Sequence, residues 1–189
     1  LDTQTTLPAV QLTYEELDRS VSRFAEKSKM KCPGGCGRCC ESPFIEATPV
    51  ECLPLAQSLL PKADEWLPLL RTHVKIGRKL PSSCPFYVSF GFGKGFCSVY
   101  DNRPFICRMY GFAAFVDEKG TEQLDSCHLH SDRNSQLPSP DPDGSGQNKA
   151  PLYRDYKRRL KKLSAEHSEP TGIAEAVLRA LEILVQTRG

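Results

Sequence analysis

Four cysteines fall within nine residues at Cys32-Pro33-Gly34-Gly35-Cys36-Gly37-Arg38-Cys39-Cys40. A run this short is no core element, and it holds too much sulfur for an ordinary loop. Its glycines can take positive φ and turn tightly, so several Cβ vectors can converge on one point. Two readings compete: four buried or disulfide-bonded cysteines, or a thiolate nest for metal. The close spacing favours the nest.

The remainder of the chain must accommodate that nest. Its 189 residues are enough for one domain, 1–189, with a core of its own. Hydrophobic residues at 39% and charged residues at 25% belong to the globular class. A formal net charge of +2 argues by itself for neither a nucleic-acid nor a membrane partner. No apolar run approaches the roughly eighteen residues of a membrane span, and the opening Leu1-Asp2-Thr3-Gln4 lacks the basic-then-apolar order of a secretory signal. Nine cysteines is an odd count, and the close intervals between several of them suit ligation better than pairing. A reducing, cytoplasmic compartment is therefore expected.

Helices are predicted at both ends. Over 11–30, Thr13-x-x-Glu16 forms a capping box, with Leu17, Val21, Phe24 and Ala25 on one face. A second capping box, Thr48-Pro49-Val50-Glu51, precedes a helix in which Pro54 forces a kink or a late start. A further helical stretch follows Pro61. Cys52 and His73, inside these helices, read as a small buried hydrophobe and a solvated side chain. Over 151–188 two helices are expected, the first striped by Leu152, Tyr156, Leu160 and Leu163, the second by Ile173, Val177, Ala180, Leu181 and Leu184. Lys157, Arg158, Arg159, Lys161 and Lys162 read as a solvated face rather than an RNA patch, because no aromatics interleave with them for base stacking. Pro, Ser, Asp and Gly dominate 131–150, which reads as a flexible connection.

The texture changes at Cys84. Aromatic residues and glycines from Cys84 to Phe96 predict a hairpin turning near Gly93–Gly95, and Phe112–Val116 predicts a strand closed by Asp117-Glu118-Lys119-Gly120. The fold class expected is α+β: a cysteine-rich core over 30–127 with short antiparallel strands, wrapped by N- and C-terminal helices.

Cys32-x-x-x-Cys36-x-x-Cys39-Cys40, then Cys84-Pro85-Phe86, then Gly95-x-Cys97-x-x-Tyr100-x-x-Arg103-Pro104-x-x-Cys107-Arg108-x-Tyr110, resembles the YkgJ-type family. That family is described as chelating zinc or iron and includes relatives of flagellin lysine N-methylase. Gly111 stands where the family more often has proline. The resemblance implies metal chelation through Cys32, Cys36, Cys39, Cys40, Cys84, Cys97, Cys107 and Cys127; His128 and His130 are reserve ligands should Cys127 prove dispensable, since imidazole also suits zinc.

Thiolates select zinc, copper(I) or iron–sulfur clusters. Eight cysteines can hold two zinc ions, or one four-iron, four-sulfur cluster with four left over. Zinc is expected in protein isolated in air, with a cluster as the alternative in the cell. Neighbouring side chains diverge, so Cys39 and Cys40 either serve different sites or divide between ligation and packing. Arg103 and Arg108 are expected to donate hydrogen bonds to the sulfurs, as are Tyr100 and Tyr110.

The function expected is thus metal binding without catalysis. One alternative is a cluster-dependent enzyme related to lysine N-methylation. Cys-x-x-x-Cys-x-x-Cys also holds the cluster of radical S-adenosylmethionine enzymes, but Arg38 replaces the aromatic usual before the third cysteine, and no strand–helix succession for a barrel follows. The other alternative is a zinc-dependent module for nucleic acid or protein, which the small net charge weakens.

Overall fold

The computed structural model describes residues 1–80, 82–91, 94–125, 127 and 138–187. Asp2 opens the first helix, its carboxylate accepting from the Gln4 N–H at 3.0 Å, and α1 runs Thr3–Ser28. The start expected near Thr13 is therefore displaced toward the N-terminus. The Thr13 hydroxyl instead donates to the Ala9 carbonyl at 2.8 Å, inside the helix. Leu7 and Val10 explain the extension, because they continue the buried stripe of Tyr14, Leu17 and Phe24. Tertiary packing of that face stabilises turns that lack strong propensity. Lys29, in the left-handed region at φ 58°, ends the helix.

A short helix α2 (Arg38–Glu41) and strand β1 (Glu46–Ala47) follow. The capping box at Thr48–Glu51 forms: Glu51 N–H donates to Thr48 Oγ1 at 3.4 Å, and the Thr48 N–H returns the bond to the Glu51 carboxylate. Helix α3 (Leu53–Leu59) then starts late, with Pro54 in its first turn. A 3-10 turn at Leu60–Lys62 leads into α4 (Ala63–Gly77). Strands β2 (Tyr87–Gly91) and β3 (Lys94–Cys97) form the expected hairpin, with Tyr87 opposite Cys97 and Val88 opposite Phe96. Gly93, part of the expected turn, lies outside the described residues, and Gly95 is in the strand opposite Ser89.

Pro104 precedes α5 (Phe105–Met109), and β4 (Ala113–Val116) pairs antiparallel with β5 (Glu122–Asp125). Their turn is closed by the Asp117 carboxylate, which accepts from Thr121 N–H at 2.8 Å and Lys119 N–H at 2.9 Å. Of the connection predicted over 131–150, residues 131–137 lie outside the described residues. Beyond them, Asp141 accepts from Gly146 N–H at 3.2 Å and Asp143 from Ser145 N–H at 3.1 Å. The chain closes with α6 (Tyr153–Leu163), β6 (Thr171–Gly172) and α7 (Ile173–Gln186).

The architecture is α+β, with three two-stranded antiparallel sheets among the described residues; β6 returns to pair with β1. Helix α7 packs on α3 and α4, and α1 packs on α6, so the terminal helices close around the middle of the chain. Leu53, Leu55, Leu70, Val177 and Leu181 are sealed between them. No helix among the described residues is long and apolar enough to cross a membrane.

Candidate metal centre

The glycines of the cysteine nest let it lie flat on the β2–β3 hairpin. Gly35, at φ 69°, turns the chain so that its carbonyl accepts from Gly95 N–H at 3.0 Å. The Tyr87 ring fills the space beside Gly37 and Gly95: a Cβ at either would come within 2.0 or 2.3 Å of a ring carbon. The Tyr87 hydroxyl then donates to the Lys94 carbonyl at 3.0 Å. One ring thus holds the nest against the strand that carries Cys97.

The other cysteines are brought in by backbone hydrogen bonds. Cys84 N–H donates to the Cys40 carbonyl at 2.9 Å, and Tyr87 N–H to the Cys84 carbonyl at 3.1 Å. Cys97 sits opposite Tyr87, Cys107 lies in α5, and Cys127 follows β5. All eight predicted ligands line one cavity of about 1560 Å³, whereas Cys52 is 0% exposed within the core. No disulfide joins any of the nine cysteines. The adjacent Cys39 and Cys40, expected to diverge, bring their sulfurs to 3.9 Å. Among the described residues no three Cys, His, Asp or Glu side chains form a ready-made group for one ion. The sulfurs surround a space rather than a point, and closing a shell takes rotation of side chains into it. His128 and His130 lie outside the described residues.

Hydrogen bonding and burial give these thiols different affinities for protons. A hydrogen bond from Cys40 holds Cys39 down to about 6, against burial and with help from the Arg103 guanidinium. The Cys40 side chain likewise holds Cys97 down to about 7. Cys40 itself is pushed up by those two hydrogen bonds and then by burial. Burial pushes Cys84 up to about 12 and raises Cys107 and Cys32. Neutral Cys32, Cys40, Cys84 and Cys107 thiols therefore accompany two thiolate-prone ones, and a cation bound by them would displace their protons.

The two arginines expected to serve the sulfurs divide their roles. Arg108, 8% exposed, is fully used elsewhere. Its Nε donates to the Arg103 carbonyl at 2.8 Å, one terminal nitrogen to the Asp101 carbonyl at 2.7 Å, and the other to Asp18 of α1. Arg108 therefore holds the 101–103 backbone, and Arg103 faces the cavity. Its guanidinium lies 3.8 Å over the Tyr100 ring, and its buried Nε lacks a hydrogen-bond partner. The positive charge bears on Cys32, Cys39 and Cys97. Eight soft donors around one cavity, with an underused cation beside them, fit a thiolate-bound metal or cluster.

A family model described as "CxxCxxCC: Putative zinc- or iron-chelating domain" matches residues 31–128. The chain belongs to the CxxCxxCC family. Within this member, Cys36-x-x-Cys39-Cys40 keeps the spacing that the family name spells, while three residues separate Cys32 from Cys36. None of the curated proteins and none of the solved structures matches the chain.

Three cavity residues escaped the sequence reading. Glu51, 5% exposed, was read only as a cap, yet it also lines the cavity, and burial pushes its carboxyl up to about 8. Lys157 and Lys161 were read as solvated. They are four residues apart on α6 and flank buried Leu160, so both also reach the cavity wall. The only sequence signal for this was the apolar stripe of α6, which fixes the inward face but not what lies beneath it.

Proposed function

We propose that this member of the CxxCxxCC family chelates zinc or iron through Cys32, Cys36, Cys39, Cys40, Cys84, Cys97, Cys107 and Cys127, in a reducing cytoplasm that keeps its cysteines out of disulfides. The observation carrying the proposal is selective: these eight line one cavity, and the ninth, Cys52, is packed into the core. Bound zinc would supply a closed, redox-silent centre, whereas an iron–sulfur cluster would supply one-electron chemistry. In either case the protein's own residues bring five separated segments to one cavity wall. Tyr87 and Arg108 hold the loops, and Arg103 offsets the charge of the thiolates.

Zinc is the expected metal in air. Metal and acid-labile sulfide analysis of protein purified without oxygen from iron-supplemented cells tests the proposal. About two zinc ions per chain without sulfide fits two four-sulfur shells. A brown protein with iron and sulfide near parity would assign a cluster. Protein that takes up neither metal under reducing conditions overturns the proposal.

A second reading, a cluster-dependent enzyme acting in methyl transfer, draws on one further observation. The same cavity extends past the thiols to a wall of Glu51, Leu55, Lys157, Leu160 and Ile173, leaving room for an organic substrate. Protection of that wall from chemical labelling by S-adenosylmethionine would favour it.

A further inference from the structure

One face of α6 borders the cavity away from the cysteine nest. Tyr153, Lys157, Leu160 and Lys161 all line it, at the i, i+4, i+7, i+8 spacing of a single helical face. The basic residues of this helix sort by face. Arg154 and Arg158 engage Asp155, and Arg159 engages Glu16 of α1. Lys157 and Lys161, on the cavity face, are exposed and form no salt bridge among the described residues. Two cations one turn apart are thus left for something other than the protein's own carboxylates.

The surface beside them is apolar. Leu160 is buried next to both lysines, and Leu55 of α3 and Ile173 at the start of α7 line the same cavity from the same buried cluster. Glu51 is the buried acid of this wall. Burial pushes its carboxyl up to about 8, so it is uncharged at neutral pH and does not repel an anion. Glu46 and Glu169 also border the cavity, but as exposed side chains on separate segments. The cavity, about 1560 Å³, exceeds the roughly 300–1,000 Å³ usual for one small organic molecule. Thiol-bound metal therefore leaves the end bordered by α6 unfilled.

We infer that this end of the cavity binds a small organic acid, its acidic group held by Lys157 and Lys161 and its apolar body laid on Leu55, Leu160 and Ile173. An apolar pocket that fixes its ligand by a few polar groups is the common form of a small-molecule site, and lysine ammonium groups are donors to carboxylate and phosphate. The inference names the class of organic molecule that the second reading above leaves open. It rests on that reading's cavity wall but on no step of methyl transfer.

Reduced full-length chain is titrated with octanoate, octanol and octylamine, which share one apolar body and differ in the head group. Octanoate should bind about tenfold more tightly than either of the others. Lys157→Gln/Lys161→Gln should weaken octanoate about tenfold and leave octanol unchanged, since exposed charge pairs contribute modestly and two are removed. Lys162→Gln, on the same helix but off the cavity, should change nothing. In a footprint with an amine-acylating reagent, octanoate should protect Lys157 and Lys161 and leave Lys162 reactive. The inference is overturned if octanoate does not bind, if octanol or octylamine binds as tightly, or if the double variant keeps wild-type affinity for octanoate. Protection spread equally to Lys162 overturns it too, because the acid would then be meeting a charged surface rather than a site. Octanoate binding in a chain whose wall S-adenosylmethionine fails to protect would remove the methyl-transfer reading and leave this inference standing.

Discussion

The helical part of this protein and its cysteine-bearing part are held together by different means. Helices α3, α4 and α7 share a core in which Leu53, Leu55, Val177 and Leu181 are 0% exposed. The nest and the β2–β3 hairpin have little such cover, with Phe90 67% and Phe96 46% exposed, while Phe86, Phe105 and Met109 on either side of the hairpin anchor in the same core as the helices. Where the helices have interdigitating side chains, the nest and the hairpin have a few hydrogen bonds and the Tyr87 ring. Their inward side is a cavity lined by sulfur. The helical part is held by apolar burial, whereas the nest and hairpin border a space that the proposed metal would fill.

Metal removal should break that pairing most strongly. Binding free energy of a structural zinc is on the order of 10 kcal/mol in small domains. In chelator-treated protein, amide exchange should lose protection across Cys32–Cys40 and Tyr87–Cys97, while α3, α4 and α7 keep theirs. Equal protection of both parts without metal would remove the distinction.

The helical part was legible in the sequence and the cavity was not, for a physical reason. An apolar stripe such as Ile173, Val177, Leu181 and Leu184 announces a buried face wherever it packs. The motifs likewise revealed which cysteines cluster. They could not reveal that the Arg108 guanidinium is taken up by other partners while Arg103 serves the thiols, because that depends on Asp18, ninety residues distant in the chain. Nor could local pattern show Glu51 in the cavity wall, since the capping box that made it visible also explained it fully. The early start of α1 was missed because Leu7 and Val10 are sparse until Leu17 and Phe24 extend the stripe.

From the helical side, Leu181→Ala should cost about 2–5 kcal/mol, through lost burial and the void left behind. Urea denaturation of the metal-loaded chain would measure it. Metal stoichiometry should not change, since Leu181 lies away from the cavity wall. A fall in metal content would mean that the two parts are more tightly coupled than their packing indicates.

Glu51 sits at the seam, at the entry to α3 and on the cavity wall. Burial pushes its carboxyl from 4.5 to about 8. Between those values the folded chain keeps a proton that the unfolded chain has released, so stability falls as pH rises through this window. Glu51→Gln removes that loss. At about 1.4 kcal/mol per tenfold change in proton affinity, the variant should gain on the order of 4 kcal/mol at pH 8 and almost nothing at pH 4. The difference between the two melting curves, taken on metal-stripped reduced protein, isolates Glu51 from the thiols that titrate nearby. A constant offset at all pH values would show that packing, not charge, governs the site.

Arg103→Gln sharpens the comparison from the cysteine side. Loss of a group that hydrogen-bonds or electrostatically supports metal ligands weakens metal affinity by about 10–100-fold, or roughly 1.4–2.7 kcal/mol. Competition against a chromophoric chelator should show this loss with unchanged stoichiometry. Arg103→Lys should recover part of it, because the charge returns without the planar stack on Tyr100. Affinity within twofold of wild type would make Arg103 a bystander.

The smallest effect on metal should come from Cys52, and it tests whether exposure to the cavity, rather than being a cysteine, defines the ligand set. Cys52 lies one residue from Glu51, which lines the cavity, yet its own side chain is sealed in the core at 0% exposure. Burial raises its thiol well above the ordinary range, so it stays protonated and cannot easily give a thiolate to a metal. Serine preserves the backbone bonds to Thr48 and Ala56 but leaves a hydroxyl in apolar surroundings, at a cost of about 1–3 kcal/mol. Cys52→Ser should therefore melt earlier while holding as much metal as wild type, and Cys107→Ser should lose metal. If Cys52→Ser lowers metal content at saturating concentration, the core and the cavity are not separate environments, and the boundary between the two parts must be redrawn through α3.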